Sequence, residues 1–83
     1  MKFPMGQVLR TAGVSRLLTG AEATALLDRH AKGDWGDADL VANTMALRDG
    51  GDLLSVYEVR GLAVWIITEA NRSATTVLFP EER

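Results

Sequence analysis

The chain contains no cysteine and only one histidine, His30. The missing cysteine excludes disulfide bonds, thiol nucleophiles and thiolate metal sites, so a catalytic triad or a transition-metal site would have to use His30. No apolar run approaches the roughly 18 residues of a membrane-spanning helix, and the N-terminal sequence lacks the apolar segment of a signal peptide. We therefore expect a cytoplasmic protein with no membrane partner.

The length of the chain limits its architecture. A chain of 83 residues has too few apolar side chains for two cores, so residues 1–83 should form a single domain. With 47% hydrophobic and 24% charged residues the composition is typical of a globular domain. Because its core is small and has no covalent support, we expect a monomer or a weak dimer.

The charge is distributed unevenly along the chain. Residues 1–33 carry five basic and two acidic residues, whereas residues 34–83 carry four basic and nine acidic ones. Such asymmetry suits docking to a charged partner. Nine basic residues are too few for tight independent binding to DNA, so direct nucleic-acid binding is not expected.

Two helices are predicted in the first half of the chain. Thr11 is a candidate N-cap for a short helix that should stop at Gly20. Thr19 and Glu22 have the spacing of a capping box and start a second helix that ends at Gly33. In that helix Ala23, Leu26, Leu27 and His30 share one face. His30 is therefore expected to be a packed or boundary residue and not a catalytic one.

A third helix follows the segment "GDWGDAD". We expect Asp37 to be its N-cap and Leu40, Thr44 and Leu47, beside Val41 and Met45, to form its apolar stripe. Trp35 is expected to fill the corner between two helices. Capping also explains the acids at 34, 37 and 39 more simply than calcium binding, since no glutamate follows at the EF-hand interval.

From Asp52 onward the apolar period changes to that of strands. Residues 53–60, 62–68 and 74–79 predict a three-stranded antiparallel meander, with a compact turn at Arg60 and Gly61 and a central strand covered on at least one face. Residues 2–9 can add a short edge strand, which Pro4 and Gly6 weaken. The fold class is therefore α+β, a two-layer domain with two or three N-terminal helices packed on the meander.

The tip between the last two strands holds Glu69, Asn71, Arg72, Ser73, Thr75 and Thr76. One carboxylate, one guanidinium and the two hydroxyls of Ser73 and Thr75 can bind a phosphate, but Asn and Ser are also the usual residues of a hairpin loop. General acid–base catalysis needs a base with a shifted pKa in a cleft, and a hairpin end is exposed. We expect a structural turn, with Arg72 paired to Glu69, that can contact a partner.

Two other functions fit the element order. Small ribosome-dependent RNase toxins share this element order, but they use basic or His side chains along the sheet. In this chain the last two strands offer only Arg72. A nucleic-acid-binding regulatory protein of a mobile element could use Arg10, Arg16, Arg29 and Lys32, although the third helix is acidic where a recognition helix meets phosphates.

The segments "DWGD", "GGDLLSVYEV" and "WIITEANRSATTVLFPEE" resemble a family of small proteins carried on plasmids, prophages and integrative elements of proteobacteria. The resemblance covers nearly the whole chain, and the last hairpin is its most specific part. The Arg60-Gly61 turn departs from the family, whose members have a longer connection there. The chain is also similar to type I-C anti-CRISPR proteins.

That resemblance implies a non-enzymatic inhibitor with no catalytic residue, cofactor or metal. Its partner would be a subunit of a type I CRISPR surveillance complex, and binding would obstruct entry of target DNA. The expected contacts are either acidic residues facing a basic channel or arginines facing an acidic protein surface. These candidates are Asp34, Asp37, Asp39 and Glu69 on the acidic side, and Arg16, Arg29 and Arg72 on the basic side.

Overall fold

The structure, a computed structural model, describes residues 2–83, and Met1 of the predicted domain lies outside the described range. The elements are β1 (Gln7–Arg10), α1 (Ala12–Leu17), α2 (Gly20–Ala31), α3 (Leu40–Asp49), β2 (Leu53–Val59), β3 (Leu62–Thr68), β4 (Ala74–Leu78) and a 3-10 turn at Pro80–Glu82. The predicted α+β fold is confirmed. None of the helices within residues 2–83 is long and apolar enough to cross a bilayer.

The sheet has four strands in the order β1-β4-β3-β2. Strands β2, β3 and β4 form the predicted antiparallel meander, and β1 adds to β4 in parallel. Arg60 (φ 50°) and Gly61 (φ 80°) both have positive φ, which matches the twist that a two-residue hairpin requires. The edge strand begins later than the sequence predicts, at Gln7, because Pro4 and Gly6 interrupt the preceding backbone.

The first two helices begin where the capping residues predict. The Thr11 hydroxyl accepts from the amide of Val14 at 3.3 Å, and Thr19 and Glu22 form the reciprocal capping box at 3.0 and 2.9 Å. The expected stop at Gly20 is wrong, because α1 already ends at Leu17 and Gly20 is the first residue of α2. Thr19 caps the second helix so closely behind the first that no separate loop remains.

Helix α3 differs from its prediction in its cap and in its buried face. Asp39 is the N-cap, since its carboxylate accepts from the amide of Ala42 at 3.1 Å, whereas Asp37 lies outside the helix. The expected apolar stripe is wrong, because Leu40, Val41 and Met45 are 65%, 67% and 49% exposed. The inward face instead carries Asn43, with Ala46 and Leu47 packed against the core.

Asn43 faces inward because it completes the free edge of β2. Its amide nitrogen donates to the carbonyl of Leu54 at 2.7 Å, and its amide oxygen accepts from the Leu54 amide at 3.0 Å. The segment before α3 pairs with the same edge, since Val56 bonds to the Trp35 carbonyl at 3.0 Å and to the Asp37 amide at 2.8 Å. Gly36 is required between them, because a Cβ there would lie 2.0 Å from the Val56 carbonyl oxygen. The outward backbone groups of Leu54 and Val56 are therefore paired, which makes this edge strand less prone to aggregation.

The core lies between the helices and one face of the sheet. Its main cluster joins α1 and α2 to the inward side chains of the meander: Val14, Leu18, Leu26, Leu27, Tyr57, Val64, Ile66, Val77 and Phe79. A second cluster joins Phe3, Trp35 and Leu53. Trp35 is 5% exposed and stacks on Phe3 with ring centroids 6.0 Å apart, so its predicted structural role in the helix corner is confirmed.

Candidate interaction surface

Arg72 points from the hairpin tip toward the body of the protein. Its guanidinium donates to the carbonyl oxygens of Gly51 (2.7 Å), Ala46 (3.1 Å), Glu69 (3.1 Å) and Ala70 (3.2 Å). The Ala46 carbonyl belongs to the last turn of α3, where it also accepts from the amides of Gly50 (2.9 Å) and Gly51 (3.1 Å). Arg72 therefore fastens the hairpin to the end of α3 through its Nη1 and Nη2 atoms.

The remainder of the tip is a turn, as the sequence predicts. The Asn71 side chain accepts from the amide of Ser73 at 3.0 Å, which is the local bond that favours Asn in turns. The expected Arg72–Glu69 ion pair is wrong, because Arg72 reaches the backbone carbonyl of Glu69 and not its carboxylate. The carboxylate of Glu69 lies on the exposed surface and lines a shallow cavity with Asp52.

Three of the other predicted contact residues have structural bonds of their own. Arg29 pairs with Asp34 at 2.7 Å and stacks over Tyr57, with its guanidinium carbon 4.5 Å from the ring centroid. The hydrogen bond from Arg29 lowers the pKa of Asp34, and that from the Gly36 amide lowers it further. Asp39 caps α3. Of this acidic segment, Asp37 contributes an exposed side chain, and Arg16 is exposed on α1.

The structure thus does not bring the seven predicted contact residues together. Arg16 lies on α1 and Arg29 on α2, Asp34, Asp37 and Asp39 lie in the loop before α3, and Glu69 and Arg72 lie at the tip of the β3–β4 hairpin. Asp34 and Arg29 neutralise one another, and Arg72 is engaged inside. Arg16, Asp37 and Glu69 have exposed side chains, and their role as partner contacts stays a prediction.

A polar network lies in the core around His30. His30 Nδ1 is 2.6 Å from the Ser55 hydroxyl and Nε2 is 2.8 Å from the Thr68 hydroxyl. Thr68 bonds to Thr75 at 2.7 Å, and Thr75 donates to the carbonyl of Met5 at 2.7 Å. These four side chains are each 0% exposed.

The hydroxyl protons of this network fix the tautomer of His30. Thr75 uses its only proton on Met5, so Thr68 must donate to Thr75, and Nε2–H of His30 must donate to Thr68. Nδ1 then accepts from Ser55. Burial lowers the pKa of His30 to about 4. A proton added to Nδ1 would also point at the hydroxyl proton that Ser55 donates to this nitrogen. The imidazole is fully buried and both of its nitrogens are hydrogen-bonded, so the network stabilises the fold.

The side of the sheet that faces away from α1 and α2 is also apolar. We call it the outer face. Its side chains are those of alternate residues and form two rows across the meander. The rows are Val56, Trp65 and Leu78, and Leu54, Ile67 and Thr76. Leu78 is buried and the other five are half-buried. Within residues 2–83, the hydrophobic clusters place α1 and α2 against the opposite face.

The sequence carries a signal of this outer face. In residues 53–59 and 62–68, both alternating sets of side chains are largely apolar, a pattern that is typical of strands covered on both faces. From the sequence, this pattern predicted a central strand covered on at least one face. The structure packs α1 and α2 on one face and leaves most of the second set half-buried, so this surface is a further candidate site.

Comparison with protein-family models, with curated protein sequences and with solved structures finds no match to this chain.

Proposed function

We propose that the chain is a non-enzymatic inhibitor that binds a protein partner and acts by occupying the partner's surface. The observation that carries the proposal is the outer face, where two rows of largely apolar side chains lie on the side of the sheet opposite α1 and α2. Burial of apolar surface is the main driving force of association, and contiguous exposed apolar patches typically mark binding sites.

The family resemblance supplies the partner in this proposal, a subunit of a type I CRISPR surveillance complex in the cytoplasm of a bacterial host. Such complexes guide DNA along rows of Lys and Arg. The exposed carboxylates of the chain suit these rows, whereas Arg29 and Arg72 are engaged in contacts within the fold. A bound inhibitor of this size would obstruct the DNA path, and it would act as a monomer.

A mobility-shift assay with purified type I-C complex and labelled target DNA tests the proposal. We expect an excess of the protein, added before the DNA, to abolish the shifted band of the complex. The protein alone should give no shift of the same DNA at low salt, where phosphate contacts are strongest. Unaffected DNA binding by the complex would contradict the proposal, and a salt-sensitive shift by the protein alone would favour a nucleic-acid-binding regulator.

A further inference from the structure

We infer that the outer face is the docking surface and that it takes a protein surface with an apolar centre bordered by Lys and Arg side chains. The inference rests on the proposed function, because it names the part of the inhibitor that contacts the partner and the chemistry of the partner's site.

The floor of the outer face is apolar across three strands. Trp65 lies in the middle of one row, opposite Val56 on one side and Leu78 on the other. Ile67 occupies the same place in the next row. Side chains directly opposite one another on neighbouring strands lie close enough to touch, so the two rows form one continuous surface. Aromatic residues at the centre of such surfaces contribute disproportionately to binding.

Carboxylates lie at both ends of this floor. Glu58 is exposed on β2 two residues beyond Val56, on the same side of the sheet. At the opposite end Asp52 and Glu69 line a cavity of about 190 Å³, together with Ile67, Thr76 and Leu78 of the floor. Arg83 is the one basic residue in the lining of that cavity. The border of the outer face is therefore acidic on balance.

The sign of this border selects among occupants. A second copy docked by a two-fold axis would place the same surface against itself, and the acidic borders would approach one another. Nucleic acid and anionic lipid would be repelled in the same way, since both present phosphates. A protein site bordered by Lys and Arg is attracted, gains association rate from the opposite charge and buries the apolar floor.

The size of the face shows that its border takes part in binding. Three strands about 4.8 Å apart and roughly 20 Å long present about 300 Å². A stable protein interface buries about 800 Å² on each partner. The apolar floor therefore provides less than half of such an interface, and the loops with Asp52 and Glu69 supply contacts beyond it.

The test compares charge reversals that are equal in size and differ in position. Glu58→Lys acts at the border of the outer face, and Asp28→Lys makes the same change on the exposed side of α2. In the mobility-shift assay with type I-C complex, we expect Glu58→Lys to require about tenfold more protein for half-inhibition, equivalent to about 1.4 kcal/mol. Asp28→Lys should match the unmodified protein.

A second pair tests the apolar floor. Ile67→Lys places a charge on the outer face, and Met45→Lys places one on the exposed side of α3. We expect at least a tenfold loss of inhibition for Ile67→Lys and none for Met45→Lys, with thermal unfolding measured for both. If Ile67→Lys does not fold, Glu58→Lys decides the question, because Glu58 is exposed and its replacement removes no packing.

The outcomes separate the inference from the proposed function. Failure of the unmodified protein to inhibit overturns both. Inhibition that is unchanged by Glu58→Lys and by Ile67→Lys overturns the docking surface and leaves the function standing. If Ile67→Lys loses inhibition and Glu58→Lys does not, the outer face remains the docking surface, but the inference that the partner's site is bordered by Lys and Arg is overturned.

Discussion

Replacing Arg72 with alanine is expected to lower the free energy of unfolding by about 3 kcal/mol. The guanidinium donates to four backbone carbonyl oxygens, two of them from residues of α3 and of the segment that follows it. Hydrogen bonds to a charged group contribute roughly 1.5–3 kcal/mol each, and these bonds share one side chain, so their contributions do not add in full. For a domain of this size the midpoint of thermal unfolding should fall by about 15 °C.

Two further variants show whether the geometry of Arg72 is responsible. Lysine keeps the charge but has no planar fork, so Arg72→Lys should recover less than half of the lost stability. Arg16→Ala removes an exposed arginine from α1 and should change stability by less than about 0.5 kcal/mol. Equal unfolding midpoints for Arg72→Ala and Arg16→Ala would show that the bonds to the carbonyl groups contribute nothing measurable.

The second large effect concerns acidification. The pKa of His30 in the folded chain is about 4, below its ordinary value of 6.5, because the ring is buried. The unfolded chain therefore takes up a proton as the pH falls below 6.5 while the folded chain does not. The contribution of neutral His30 to the free energy of unfolding is fully present above pH 6.5. Below that pH it should fall by about 1.4 kcal/mol per pH unit, and the total loss should be about 3 kcal/mol near pH 4.

The upper part of this pH range isolates His30 from the carboxylates. The pKa values of Glu22 and Glu82 are lowered from 4.5, chiefly by hydrogen bonds from the Thr19 amide and the Thr11 hydroxyl, so their contribution is lost at lower pH. Urea unfolding at pH 7, 6 and 5 should therefore give an unfolding free energy that falls with the slope expected for the uptake of one proton. In His30→Gln the slope between pH 6.5 and 5 should disappear, whereas Thr24→Ala, on the exposed side of α2, should retain it.

A direct titration provides an independent readout. The chain has a single histidine, so its ring proton signals can be assigned without ambiguity. Their chemical shifts in the folded protein should stay constant from pH 7 to pH 5. A midpoint near the ordinary value of 6.5 would contradict the buried, neutral network of His30, Ser55, Thr68 and Thr75.

Local patterns in the sequence predicted the elements, because their causes are local. The capping box at Thr19 and Glu22 fixed the start of α2, and the apolar spacing placed His30 on its buried face. The turn at Arg60 and Gly61 fixed the hairpin register. The parallel pairing of β1 with β4 depends on residues far apart in the chain, such as Gln7 and Ala74, and no local pattern encodes it.

The errors concern polar residues whose partners lie far away in sequence. Asn43 turns the polar side of α3 inward because it bonds to the edge of β2, so the most apolar stripe of α3 is left exposed. Arg72 looked like a projecting contact because its acceptors at Ala46 and Gly51 precede it by more than twenty residues. Its assignment as a partner contact stays a prediction, and the bonds within the fold favour the exposed carboxylates instead.

The outer face could be inferred from sequence only in part. Two apolar sets of side chains in β2 and β3 predict that both faces of the sheet are covered. Which set the helices of the same chain cover depends on the packing of α1 and α2. The uncovered set is then available to another molecule.

Thiol labelling of single-cysteine variants shows directly whether the outer face binds the partner, since the chain has no cysteine of its own. Ala63 is exposed on the outer face beside Glu58, and Ala25 is exposed on α2, so both positions accept the same Ala→Cys change. On addition of excess type I-C complex, we expect labelling at position 63 to slow at least tenfold and labelling at position 25 to continue at the rate of the free protein. Protection of position 25 with unchanged labelling at position 63 would show that the helical side binds and would contradict the account.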